Sequence, residues 1–295
     1  MNSILNLKPS LTGDIRLDEP LRFHTGFRIG GPAKVMLIPR GIEDLRQAIS
    51  WAGKQGIPTR VIGNGTSILC DQAGYDGLII KLVHVLNHVS IKGSKIYAGA
   101  GATMTALNRQ AINWRLTGLE DWWGVSSSVG GWLIRMGLAK NPALDHLIAE
   151  VYVMEPDGYV TRWIEPSQLF FKYTDDQLKK IIVEVVFNLK ADSQKNITEK
   201  IAKRQAQWDF LTQTCLPLAG PVFLSVENDY TELFVKEQVS GLKQGKVAFL
   251  GVSNGYIANL GGGEYHDIIS LLNTLKKKLK DVTKINLIDG LCFLN

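Results

Sequence analysis

Pro58–Gly77 reads PTRVIGNGTSILCDQAGYDG. The apolar run Arg60-Val61-Ile62 predicts a strand that feeds Gly63-Asn64-Gly65-Thr66-Ser67. There small residues permit positive φ and leave backbone N–H groups uncovered, and an apolar run resumes at Ile68-Leu69. Successive uncovered N–H groups suit a phosphate. No third glycine opens a helix and no Lys-Ser/Thr pair follows, so neither a Rossmann fingerprint nor a P-loop is present. Taken alone, the five residues fit an ordinary tight turn as well as an anion cradle.

Upstream, Gly30-Gly31-Pro32 breaks the chain between two strand-like runs, Phe23–Ile29 and Ala33–Ile38. Ile42, Leu45, Ala48, Ile49 and Ala52 have helical spacing over Ile42–Gln55, and Gly56 is the stop. Strand, helix, strand and glycine loop make a βαβ unit with its ligand candidate at the C-terminal end of the second strand.

Downstream, Leu78–Leu82 and Lys95–Ala98 read as strands, and Thr103 is placed to cap a helix over Met104–Trp114. A second glycine-rich stretch runs from Gly124 through Val125, Ser126, Ser127, Ser128 and Val129 to Gly130 and Gly131. Its bare backbone suits a flat ring or a pyrophosphate, and equally a close helix–strand crossing. Ile148–Met154 pairs through Pro156-Asp157-Gly158 with Tyr159–Trp163, and Ile181–Leu189 is a further strand. The polar Ala191–Asn196 reads as a boundary and Ile197–Phe210 as a linker helix. Beyond them come a strand at Val247–Leu250, a stretch Gly255–Leu260 that ends at Gly261-Gly262-Gly263, and a helix over Asp267–Lys280. The order is α+β.

With 295 residues, 45% of them hydrophobic, the chain has material for two or three domains. The net charge of +5 is scattered, and its densest run, Lys276-Lys277-Lys278 with Lys280, falls on an amphipathic helix. That is a solvated face rather than a nucleic-acid patch, and the excess charge fits an anionic ligand. Cys70, Cys215 and Cys292 are odd in number and lack CxxC spacing, which argues against a disulfide framework and a zinc site. The histidines show no ligand spacing, and no metal is expected. With no signal-type leader and no run of 18 apolar residues, the expected setting is the cytoplasm, away from membranes.

Three ordered blocks resemble the signature of the UDP-N-acetylenolpyruvylglucosamine reductases, also called UDP-N-acetylmuramate dehydrogenases. They are Thr25–Ala33, Val61–Leu69, and Thr117-Gly118-Leu119-Glu120 followed by Gly124 to Gly131. The resemblance implies two FAD-binding subdomains, residues 1–82 and 83–192, and a C-terminal α+β substrate domain, 197–295. It implies FAD held by Gly63, Asn64, Gly65, Thr66, Ser67 and Ile68 around the pyrophosphate, with Gly124, Val125, Ser126, Gly130 and Gly131 beside the flavin. It implies NADPH as reductant, a UDP-sugar substrate whose diphosphate Lys243 would meet, and reduction of an enolpyruvyl ether in peptidoglycan precursor synthesis. No protein partner is indicated.

Such a reaction needs an enolate stabilised and a proton delivered, and the chain departs from the family at the positions for those duties. The arginine of Phe-Gly-Tyr-Arg-x-Ser is Thr174, the serine of Gly-Ser-x-Phe-x-Asn-Pro is Pro221, and the C-terminal glutamate is Ile288, with Asp289 one residue out of register. Ser225 lies four residues beyond Pro221. Gly-Ile-Pro-Gly has become Gly124-Val125-Ser126-Ser127, Met-Asn-Ala-Gly has become Arg135-Met136-Gly137-Leu138, and the loop asparagine is Ser67. Two readings follow: a flavoprotein impaired in the family reaction, or a catalytically silent relative kept for binding or regulation. Arg28 as a phosphate ligand, Glu120 as a catalytic acid and Trp122 and Trp123 as ring stackers each have a bland counterpart: a surface arginine, a turn carboxylate, buried aromatics.

Overall fold

Periodic burial sets the helices, as Ile42–Gln55 (α1) illustrates. Leu45, Ala48 and Ala52 are buried, with Ile42 and Ile49 half-covered beside them. Gly56 ends α1 at φ +65°, its N–H turned back to the last carbonyls. The computed structural model describes residues 11–83, 85–139, 141–163, 180–224, 230–283 and 288–295, with backbone alone at 207–213, 281–283 and 288.

The strands up to residue 191 are β1 (Asp14–Pro20), β2 (Pro32–Ile38), β3 (Thr59–Ile62), β4 (Ile68–Cys70), β5 (Tyr75–Lys81), β6 (Val89–Lys92), β7 (Lys95–Gly99), β8 (Leu116–Thr117), β9 (Ile148–Met154), β10 (Val160–Trp163), β11 (Ile181–Asn188) and β12 (Lys190–Ala191). After them come β13 (Leu218–Ala219), β14 (Phe223–Leu224), β15 (Lys243–Gln244), β16 (Val247–Leu250), β17 (Tyr256–Asn259), β18 (Ile288–Asp289) and β19 (Cys292–Leu294). The helices beyond α1 are α2 (Met104–Asn113), α3 (Val129–Leu138), α4 (Leu144–Leu147), α5 (Gln194–Gln213), α6 (Thr231–Lys236) and α7 (Tyr265–Thr283). The described residues fall into two compact units. One is drawn from Met1–Leu17, Val35–Asn64 and Gly77–Thr214, the other from Asp18–Lys34, Gly65–Asp76 and Cys215–Asn295.

One sheet has the order β1-β2-β5-β3. The expected strand–helix–strand run is there, but β5 lies between β2 and β3 and pairs in parallel with β3 from Thr59↔Leu78 to Ile62↔Lys81. The strand-like run Phe23–Ile29 is not a strand. Leu21–Phe23 is a 3-10 turn, and the Thr25 hydroxyl donates to Ile29 O at 2.8 Å, closing the chain on itself before a ladder can form. A strand that the polar leader did not announce, β1, precedes it.

The second sheet, β10-β9-β11-β7-β6, is antiparallel. Its β11 is apolar nearly throughout because both faces are covered. Ile182, Val185 and Phe187 join a core with α2 and α3, while Ile181 and Val183 join the core under α1. A register shift between Ile182 and Glu184 moves the alternation by one. α5 is capped by Ser193 and belongs to the first unit.

In the second unit, Ile268, Leu271, Leu272, Leu275 and Leu279 of α7 are buried with Phe223, Phe234 and Phe249, the last two edge to face at 5.1 Å. Around them lie the sheet β13-β17-β16-β15 and the pairs β14-β18 and β19-β4. Lys277, Lys278 and Lys280 are exposed, the solvated helix face read from the sequence. Among the described residues no helix is long and apolar enough to cross a membrane, and no cluster of metal-ligating side chains occurs.

Candidate cofactor site

The β3–β5 ladder ends where Leu82 N donates to Ile62 O, 3.1 Å, and the glycine loop begins at the next residue. In the first unit, the Asn64 carboxamide donates to Ser126 O at 2.6 Å, and Gly63 lies so close to Ser128 that a Cβ there would fall on the serine hydroxyl. In the second unit, Gly65 has φ +72°, and a Cβ on it would fall on His24 O. Gly65 O accepts from Gly26 N at 2.9 Å, Thr66 O from Gly220 N at 3.1 Å, and Ser67 O from Cys292 N at 2.8 Å. The Ser67 hydroxyl donates to Gly220 O, 3.0 Å.

The carbonyls of Gly65, Thr66 and Ser67 are thus committed to the scaffold. Among the described residues, by contrast, the N–H groups of Asn64, Gly65 and Thr66 donate to nothing. Open main-chain donors on a glycine-rich turn suit an anionic group.

The second glycine stretch divides into two parts. Ser128 caps α3, accepting from Gly131 N at 3.3 Å, while Gly130 N donates to Ala100 O at 2.9 Å and a Cβ on Gly130 would stand 3.1 Å from Ala100 Cβ. The N–H of Gly130 is therefore spent on the close approach of α3 to the residue after β7, and that of Gly131 on the cap of α3. Gly124 and Ser126 are exposed, and Val125 packs on the core. Ser128 was not singled out from the sequence. Its signal was present, a serine directly before the apolar helix α3.

The segments that carry Pro221 and Ile288 both lie in the second unit. β14 pairs with β18 through Phe223↔Asp289 and Leu224↔Ile288, and Gly290 N donates to Val222 O at 2.8 Å. The Asp289 carboxylate is held by Lys276 at 2.6 Å. Thr174 and Ser225 lie outside the described residues. Lys243 is exposed on β15, the edge strand of its sheet.

Glu120 is buried, and its carboxylate accepts from Gly118 N at 2.7 Å and from the Thr117 hydroxyl, with Lys200 at 3.8 Å. It shapes a turn. Trp122 packs edge to face on Trp132, ring centroids 5.1 Å apart. Arg28 is exposed at φ +55°, and His24 is buried with its ring 2.8 Å from Glu19. Cys70 is buried, and that burial pushes its thiol up to about 11.

Residues 33–163 match the FAD binding domain family. The chain is 29% identical over 286 residues to the UDP-N-acetylenolpyruvoylglucosamine reductase of Halalkalibacterium halodurans, covering 96% of this chain and 95% of that protein. It is 28% identical over 288 residues to the protein of that name from Bacillus pumilus, covering 94% of each. Among solved structures, the UDP-N-acetylenolpyruvylglucosamine reductase of Thermus caldophilus superposes with a TM-score of 0.74 at 22% identity, covering 97% of this chain and 100% of that one. The fold is accordingly the α+β FAD-binding fold of that enzyme type, with a C-terminal α+β domain. Motifs and similarity along nearly the whole length make this chain a homologue of the UDP-N-acetylenolpyruvoylglucosamine reductases, with FAD as the cofactor of its binding domain.

Proposed function

We propose that the chain is a cytoplasmic FAD-binding flavoprotein of the reductase type that is impaired in the reaction for which its homologues are named. The observation that carries the binding half is the run of open N–H donors at Asn64, Gly65 and Thr66. Loop Gly63–Ile68 would hold the FAD pyrophosphate, with Gly124, Val125 and Ser126 beside the flavin and Gly130 and Gly131 shaping the helix crossing behind them. The subdomains would span 1–82 and 83–192 and the substrate domain 197–295, with Lys243 offered to the diphosphate of a UDP-sugar. When bound, FAD supplies hydride chemistry, with NADPH as the reductant.

The chain's own share of the reaction is a cation for the substrate, a proton for the enolate and a carboxylate. Pro221 offers neither hydroxyl nor N–H, and Thr174 cannot present a bidentate cation. Asp289, next to Ile288, is tied to Lys276. Losing a general acid lowers a rate by about 10²–10⁴, and losing a charge-stabilising donor lowers it by about 10²–10³. The two losses overlap rather than multiply. The Lys276–Asp289 pair also favours the second reading, a silent relative that binds without turning over.

The test is the colour and redox behaviour of the purified protein. A yellow preparation, or one that takes up added FAD, supports the binding half. Anaerobic bleaching by NADPH, with slow recovery on adding the enolpyruvyl nucleotide sugar, supports an impaired reductase. Bound FAD that NADPH does not bleach supports the silent relative, and a protein that takes up no FAD refutes both.

A further inference from the structure

Gly63-Asn64, following β3, and Gly124–Ser128, preceding α3, come from separate parts of the first unit. Asn64 donates its carboxamide N–H to Ser126 O at 2.6 Å, and Gly63 seats against Ser128, the cap of α3. α3 is in turn fixed to the turn that follows β7 by Gly130 N to Ala100 O at 2.9 Å and Val129 N to Ala102 O at 2.8 Å. The carboxamide therefore ties a strand-end loop to a segment with a rigid anchor. Its main-chain N–H meanwhile is the first of the three open donors.

From this arrangement we infer that Asn64 is a positioning residue for the cofactor, setting the spacing between its own open main-chain N–H and the Gly124–Ser126 backbone. The inference rests on the FAD reading above. A ligand that touches both segments benefits from a preset spacing, because it need not order the loop itself. A ligand that touches only the open N–H groups gains little. FAD belongs to the first kind and adenosine diphosphate to the second. The hydrogen bond joins a half-buried side chain to an exposed carbonyl, so its removal barely affects the stability of the FAD-free protein.

The experiment measures dissociation constants for FAD, by calorimetry, and for adenosine diphosphate, by competition with FAD, in the wild type and in Asn64→Ala. The expected result is an FAD constant raised about three- to tenfold, an adenosine diphosphate constant raised less than about twofold, and a melting temperature without FAD within about 2 °C of wild type. An unchanged FAD constant overturns the inference and leaves the FAD reading standing. A parallel loss of both affinities with a lower melting temperature marks a merely structural side chain and also overturns it. A wild type that takes FAD but not adenosine diphosphate overturns it by locating the affinity away from the loop. A wild type that takes no FAD removes the underlying reading as well. If Asn64→Ala does not fold, Asn64→Ser, whose side chain stops short of Ser126, is put through the same measurements.

Discussion

Gly65→Ala is the sharpest probe of the loop. Gly65 stands at φ +72°, and a Cβ there would fall on His24 O, in a segment already tied to the loop by Gly26 N to Gly65 O at 2.9 Å. A left-handed conformation costs an L-residue about 1–2 kcal/mol. Pushing His24 aside also breaks or stretches the Gly26 bond, for about 0.5–1.5 kcal/mol more. The sum is about 1.5–3.5 kcal/mol before any overlap is counted, a fall of about 3–14 °C in melting temperature at the usual 2–4 °C per kcal/mol for a chain of this size. Gly262→Ala is the control within the same unit: φ is +78°, and nothing stands within 4 Å of the added carbon. It carries the conformational cost alone. Thermal melts of both variants without FAD, followed by aromatic circular dichroism, should place Gly65→Ala clearly below Gly262→Ala. A Gly65→Ala protein that melts at or above the Gly262→Ala temperature refutes the packing argument.

Asp44 and Glu120 offer two further tests. Asp44 is buried, which raises its pKa, but N–H donors from Arg40, Thr12 and Gly13 and the Thr12 hydroxyl outweigh that and hold the carboxyl below its ordinary value. A lowered folded-state pKa means its stabilisation is complete above the unfolded value, about 4, and fades as pH falls through the folded one. Asp44→Asn should therefore lose about 1–3 kcal/mol at pH 7, with the gap to wild type closing in denaturant titrations below pH 4. Glu120→Ala should lose about 1.5–3 kcal/mol, because it strands the Gly118 N–H and the Thr117 hydroxyl, whereas Lys200→Ala, on an exposed ion pair, should lose less than about 1 kcal/mol. Denaturant midpoints check the order. A Glu120→Ala protein of undiminished stability that no longer supports flavin reduction would restore a catalytic role for that carboxylate.

The elements that local pattern governs were legible in the sequence. α1, the Thr103 cap, β9 with its hairpin, β16 and α7 each follow from spacing, a cap or a turn of a few residues. Partnerships at long range were not. Nothing in Tyr75–Lys81 announces that it will lie between β2 and β3, because strand order is settled by which faces need covering. Phe23–Ile29 has strand-like composition, yet one Thr25 hydroxyl bond to Ile29 O turns it into a bend. At the site, the five residues Gly63–Ser67 were legible as a loop, while the Asn64–Ser126 bond was not, since it joins residues 62 apart in the chain. Pro221 and Ile288 were singled out only by the resemblance, and the β14–β18 register, which sets Leu224 opposite Ile288, was not legible in the sequence.

Retention of the loop glycines beside replaced catalytic positions has a physical explanation that does not depend on catalysis. Gly63 and Gly65 are required by their neighbours: a side chain at either meets Ser128 or His24 whether or not a ligand is present. A relative that had abandoned its cofactor would still keep both. The glycines therefore do not discriminate between a flavoprotein and a bare scaffold, although they are the residues that drew attention to the stretch. The main-chain N–H groups bear on that question more directly. A turn kept for structure alone tends to close its N–H groups onto nearby carbonyls, as the carbonyls of Gly65, Thr66 and Ser67 are met by Gly26, Gly220 and Cys292. Among the described residues the N–H groups of Asn64, Gly65 and Thr66 have no such partner, and open donors of this kind suit an anionic group. The proposed FAD binding draws on Asn64, Gly65 and Thr66 as backbone donors, and the proposed impairment on Thr174, Pro221 and Ile288, so the two proposals stand or fall separately.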